Sequence, residues 1–360
     1  MTWDLKAFTS SDSIYFTYNS FGKPDLNYIY KIVNGIWVLD SKRKYDYSEN
    51  SILKEDITEK FVADTWKNSS KNEYIFNENN NLIDSTYFTW NDTTSQWINN
   101  YKTSTTFSPE GKILISLGQR WQNNNWVNNR QYTYVYNSQN QLDTMFSKRW
   151  QQNSWRNNAF VIYTYNENGF MTEAVTQTYF GSNISNFSKI TYNYENDLLV
   201  ELTNYAWQNN DWVMQDKYKF TYDENKKLLT SSRQSIQNIG WLTTTQNFFF
   251  YDQFNNKVRD LTQRLINQQW QDYRRINYFY DNQNNLITEQ TQAWSSSSNS
   301  WSNLEKTDYN YKNQKLHFKY TSTWKNNVGW IYSTSSTYSY TDSENSSTVT
   351  SQRYVDSTST

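Results

Sequence analysis

Apolar and polar residues alternate along almost the whole chain, and the phase of that alternation resets at a fixed interval. In WQNNNWVNNRQYTYVYNSQNQL, Trp121 and Trp126 bracket a polar loop, Tyr134 and Tyr136 follow eight and ten residues after Trp126, and Leu142 comes six later. The next copy repeats this, with Trp150 and Trp155 around QQNS, then Tyr163 and Tyr165. With the second loop residue as anchor, the series runs Phe8, Trp37, Trp66, Trp97, Trp126, Trp155, Ile184, Trp212, Trp241, Trp270, Trp301, Trp330, in steps of 28, 29 or 31 residues. A period of this size marks a repeat architecture, in which one supersecondary unit cannot bury its apolar side alone.

Within a unit the period is two, as a strand requires. Counted from Trp126, even offsets give Asn128, Arg130, Tyr132, Tyr134 and Tyr136, so one face is read as aromatic and the other as mostly polar. After NSQNQ the chain resumes as a second strand through Leu142, Thr144, Phe146, Lys148 and Trp150. The connecting segments NENNN, NENG, DENKK and DNQNN carry residues that tolerate positive φ and bond their own backbone. The fold class expected is therefore all-β: a tandem repeat of about twelve 29-residue hairpins forming one long antiparallel meander. Open twisted sheets rarely pass ~10 strands without curling, so the sheet is expected to roll into a spiral, shell or superhelix that covers the Tyr and Trp rows. The competing geometry is a flat ribbon on the order of 115 Å long. A single repeat-array domain fills residues 1–360, with loops starting near 3, 32, 61, 90, 121, 150, 179, 207, 236, 265, 294 and 324.

Composition adds that any core is aromatic: 36% of the residues are hydrophobic, and the aromatics alone make up 19% of the chain. Disorder is disfavoured, because disordered chains are poor in aromatics and hold no such register. The net charge of −1, with its signs interspersed, gives no field for nucleic acid or an anionic membrane, and no apolar run reaches a membrane span. With no cysteine, disulfides and thiolate metal sites are excluded and the redox compartment stays open.

At YDENKKLL (222–229), YDNQNNLI (280–287), YNENGFM (165–171) and YNSQNQL (136–142), the chain resembles the YD repeats of Rhs and teneurin-type proteins. That resemblance implies a spiralling antiparallel sheet around a hollow interior, hence a shell that encloses or presents a passenger polypeptide. The whole unit, with its Trp-Gln-Asn-Asn loop and Tyr-x-Tyr-Asn/Asp strand, looks closer to uncharacterised repeat proteins exported by Bacteroidota. This implies an extracellular or outer-surface location, type IX secretion machinery as a partner, and a sorting domain outside the repeats.

Chemistry-bearing candidates are few. The one histidine, His317, occupies a position that is apolar in other units, and nothing beside it suggests a triad. The 35 acids are scattered rather than paired for glycoside hydrolysis. The DENKK and DNQNN turns offer too few carboxylates for a tight Ca²⁺ site. No enzyme activity, cofactor or metal is therefore expected; a carbohydrate-active enzyme is the remotest alternative. The Trp-bracketed loops alone have a specific reading, since indoles beside Asn and Gln amides stack on sugars and serve protein partners equally well. The candidate ligand-binding residues are Trp121, Trp126, Trp150, Trp155, Trp207, Trp212, Trp294, Trp301, Trp324 and Trp330. The competing role for the same residues is packing that holds the units together. The leading functional expectation is a non-enzymatic, exported or cell-surface scaffold for adhesion or assembly, touching glycans or surface proteins at many weak sites, with no nucleic-acid partner and no membrane insertion.

Overall fold

The computed structural model describes residues 8–19, 23–33, 36–237, 240–326, 328–340 and 347–356; Trp3, the first loop residue of the series, lies outside them. Twenty-four antiparallel strands, β1 (Phe8–Tyr18) to β24 (Ser347–Asp356), form one sheet. Every strand pairs with the next in sequence, as in β8 (Ile113–Gln122) with β9 (Asn125–Tyr136) and β10 (Leu142–Gln151) with β11 (Ser154–Tyr165). The meander bends round far enough that β1 also pairs with β24, from Phe8↔Asp356 to Ile14↔Ser351.

The sheet is one layer thick. Extensive contact joins ladder neighbours and β1 with β24, and slight contact joins β1 with β23 (Gly329–Tyr340), so among the described residues no second wall packs on either face. The accessible surface is 23255 Å² for 43.4 kDa, whereas a compact monomer of that mass exposes roughly 15,000 Å². Among the described residues the buried hydrophobic ones are Phe160 and Ile331. The aromatic rows are thus half-buried by their own neighbours along the sheet, and the expected cover from opposite walls is not there.

The expected strand phase fails at one point in every unit, for a local reason. Gly118 pairs with Arg130 and Gln119 with Asn128, leaving Asn129 as an extra residue. The same bulge recurs three residues after the anchor, for example at Asn158, Phe187, Tyr273 and Leu304. A bulge reverses which face the following residues occupy. Trp126 and Asn128 therefore lie on one face, and Arg130, Tyr132, Tyr134 and Tyr136 on the other. The single aromatic face is corrected to two: a Trp face and a Tyr face. A second bulge, at Asp143 in β10, puts Leu142 opposite Tyr136 on the Tyr face. Two bulges per hairpin also add twist and bend, which a continuous meander needs in order to curve.

The two ends of each hairpin close differently. Behind the Trp residues the chain turns in two residues, both at positive φ: Ala63/Asp64, Asn123/Asn124, Gln152/Asn153, Asn209/Asn210 and Asn267/Gln268. Such turns match strand twist and favour Asn. At the opposite end Asn or Asp caps its own turn: Asn77 Oδ1 accepts from Asn79 N (3.0 Å) and Asn81 N (2.9 Å), and Asp281 Oδ1 accepts from Gln283 N (2.8 Å) and Asn285 N (2.9 Å). The 31-residue steps arise where Trp90/Trp97 and Trp294/Trp301 bracket loops two residues longer.

Candidate functional site: the tryptophan tips

Each Trp pair sits directly across the hairpin, next to its turn: Trp121↔Trp126, Trp150↔Trp155, Trp207↔Trp212, Trp294↔Trp301 and Trp324↔Trp330. The ten candidates thus come together two by two. Their rings meet edge to face, with centroids 4.9–5.3 Å apart and interplanar angles of 69–75°. Pairs of this geometry contribute about 0.5–1.5 kcal/mol beyond area burial, so the indoles clamp the tip of each hairpin. Sequence reasoning passed over a sixth pair, Trp90–Trp97, at 4.9 Å and 70°. It was legible as two Trp bracketing NDTTSQ, a spacing of seven rather than five.

The other end of the same hairpin is tied by tyrosine. The hydroxyls of Tyr47, Tyr136, Tyr165, Tyr222, Tyr251 and Tyr280 donate to the carbonyls of Pro24, Ile113, Leu142, Leu199, Leu228 and Lys257, at 2.8–3.1 Å. Each acceptor immediately precedes a bulged residue, where the ladder is interrupted. Burial raises the hydroxyl pKa of Tyr47, Tyr165 and Tyr280 above its ordinary value. These tyrosines are therefore neutral donors throughout the physiological range.

What covers the outer side of the indoles differs from tip to tip. On the Trp face a cation from the preceding hairpin stacks on the anchor ring: Lys42 on Trp66 (4.0 Å), Lys71 on Trp97 (5.6 Å), Lys189 on Trp212 (5.0 Å), Arg275 on Trp301 (4.4 Å) and Lys306 on Trp330 (5.6 Å). Among the described residues, no cation stacks on Trp121, Trp126, Trp150 or Trp155. The residue in the covering position before Trp155 is Gln131. These four half-buried indoles are flanked by the exposed amides of Gln122, Asn123, Asn124, Gln151, Gln152 and Asn153. A groove of about 610 Å³ opens beside them, lined among others by Gln151, Trp155, Asn157 and Tyr179. It lies where β11 and β12 (Met171–Phe180) part, since their ladder begins only at Ala159↔Thr178.

The remaining candidates have structural partners. His317 Nδ1 donates to the Tyr338 carbonyl at 3.1 Å. The Asp281 carboxyl is held below its ordinary pKa by hydrogen bonds from the Asn285 side chain and backbone. Among the described residues, no three His, Cys, Asp or Glu side chains converge as a metal site would need, and no helix is long and apolar enough to cross a membrane.

No family model and no curated protein matches the chain. Among solved structures it is similar to a chain of the TcdB2-TccC3-Cdc42 complex, with TM-score 0.32 and 12% identity, covering 92% of this chain and 20% of that one. It is also similar to a DUF3836 family protein from Bacteroides vulgatus (TM-score 0.21, 20% identity, 24% of this chain and 89% of that one). A third likeness is to a porin-like protein from Bacteroides uniformis (TM-score 0.27, 10% identity, 74% of this chain and 94% of that one). The chain spans about a fifth of the TcdB2-TccC3-Cdc42 chain it matches. Likeness this distant carries no statement about what the chain binds.

Proposed function

We propose that the protein is a non-enzymatic repeat scaffold that contacts glycans through its tryptophan tips. The observation that carries this reading is the contrast in cover among the Trp–Trp tips: the anchor indoles Trp97, Trp212, Trp301 and Trp330 each have a cation against the ring, whereas among the described residues the adjacent pairs Trp121/Trp126 and Trp150/Trp155 have exposed amides around them and no stacked cation. Sugars are bound by an aromatic face for the C–H side of the ring and amides for the hydroxyls. Tips two strands apart stand on the order of 10 Å from one another, so one chain ligand spans two of them, and weak contacts add through effective concentration.

The test is tryptophan fluorescence titrated with a panel of neutral oligosaccharides. Quenching by at least one of them, lost in Trp155→Ala and kept in Trp212→Ala, is the expected result. A spectrum indifferent to every sugar removes the glycan reading and leaves the tips as clamps only.

A further inference from the structure

The opposite face of the same tips carries a second, unassigned feature. Arg120, Arg130, Arg149 and Arg156 lie on four consecutive strands, β8 to β11, all exposed and all on the Tyr face. Arg149 is directly opposite Arg130 on one side and Arg156 on the other. Like charges facing each other across strands destabilise a sheet. Single like-charged pairs occur elsewhere, as at Lys60↔Lys67 and Glu55↔Glu73, where Lys71 meets both glutamates, but several other cations are matched by a carboxylate. Lys42 and Lys44 share Glu59, Arg43 meets Asp56, Lys217 meets Glu201 and Arg233 meets Asp216. Between residues 113 and 166 there are five basic residues (Arg120, Arg130, Lys148, Arg149, Arg156) and one acid, Asp143, a local charge of +4 in a chain of net −1.

Two grooves open along this row. One, of about 360 Å³, is lined by Arg120, Arg130, Tyr101 and Tyr132. Its floor is Gly118, where a Cβ would come within 2.2 Å of the Tyr101 hydroxyl, so glycine is what lets Tyr101 fold over that strand. The other, of about 610 Å³, carries Arg149 and Arg156 beside Gln151 and Asn158. Within the row, Arg130 Nη1 donates to Tyr132 Oη at 3.1 Å. The remaining guanidinium donors face open groove, and guanidinium forks match carboxylates in paired geometry.

We infer that this row is a binding groove for an acidic polysaccharide, a sugar chain bearing carboxylates at regular intervals. The grooves are open troughs running across strands, which suits a polymer better than a small ion. Amides and tyrosines between the arginines suit hydroxylated rings better than a nucleic acid, whose phosphates would require a broader basic field than one patch on a neutral protein. The inference rests on the glycan reading above and shares the 610 Å³ groove with it, Trp155 and Asn157 lining the groove together with Arg149 and Arg156; the two are told apart by their tests, one reading indole quenching by neutral sugars and the other carboxylate-dependent retention.

Native electrophoresis in gels containing polygalacturonate tests it, with fully methyl-esterified polygalacturonate and single-stranded DNA as the other matrices. Retardation of the full chain by polygalacturonate is expected, weaker by tenfold or more in the esterified polymer and in the Arg149→Gln/Arg156→Gln variant. An Arg259→Gln/Arg264→Gln variant should match the unsubstituted chain. Thermal melting should show the Arg149/Arg156 variant to be folded and at least as stable, because it removes a like-charge contact. Absence of retardation, equal retardation by the esterified polymer, indifference to the arginine variant, or tighter retention by DNA would each overturn the inference. Failure of tryptophan quenching by neutral sugars alone would remove the reading of the indoles and leave this one to the retention test.

Discussion

Two regions of the Tyr face carry arginine in the same kind of sheet and treat it in opposite ways. In β3 (Ile36–Tyr47) to β5 (Thr65–Phe76), Arg43 grips Asp56 with Nε at 2.9 Å and Nη2 at 2.8 Å, while Asn72 (3.0 Å) and Tyr74 (2.9 Å) also donate to that carboxylate. Asp56 is only 1% exposed. In β8 to β11 four arginines stand in a row with no acid among them. The first arrangement satisfies its charges internally and rigidifies three strands. The second leaves donors facing outward at a cost in stability, which makes it the better place to look for a ligand.

The comparison is broken most severely at Asp56. Its replacement by Ala strands Tyr74 and Asn72 and leaves a half-exposed guanidinium without its partner; we expect a loss of about 3 kcal/mol in urea unfolding. The same cluster has a pH signature. An unfolded tyrosine ionises near pH 10, whereas burial, and then the hydrogen bond to Asp56, push Tyr74 up to about 12. The unfolded chain therefore releases this proton first, so the contribution is complete below pH 10 and is lost as pH rises from 10 toward 12. Ultraviolet titration of tyrosinate at 295 nm, comparing the protein with Tyr74→Phe, should show a late-ionising group that disappears in the variant.

At the tips, Trp155→Ala removes an edge-to-face partner and a half-buried ring, for an expected cost of about 2 kcal/mol read from the denaturation midpoint. Tyr165→Phe deletes the 2.8 Å bond to the Leu142 carbonyl and nothing else; about 1 kcal/mol is expected. The smallest effect has the opposite sign. Arg149→Gln relieves contact with Arg130 and Arg156, and should raise the melting temperature slightly, by the equivalent of a few tenths of a kcal/mol. A melting temperature that falls instead would mean that the row is held by contacts within the chain, and would erase the contrast with Asp56.

Much of this molecule could be read along the chain. The Trp-x4-Trp and Tyr-x-Tyr spacings fixed the hairpins, and the Asn and Asp clusters fixed their turns, because both depend on residues within ten positions of one another. The face assignment could not be read that way. Asn129 and Asn158 have one side chain, but Phe187 and Tyr273 occupy the same position in their units, so no residue type announces the bulge; the position is common, the chemistry is not. A one-residue slip reverses every later side chain, so the single aromatic face became two, and Arg130 moved to the face away from the indoles, where Arg120, Arg149 and Arg156, each next to a Trp in sequence, already stood. Balanced net charge hid them as well, since the acids that balance them lie on distant strands.

The sequence by itself determined the repeat, the strand order and the aromatic clamps, all of which are local and recur with one period. Tertiary structure alone decided which residues share a face, which cations cover which indoles, and that the sheet stays one layer thick with β1 beside β24. Those outcomes depend on the register between strands and on the bend summed over two dozen of them, and a bulge of one residue per hairpin sets both.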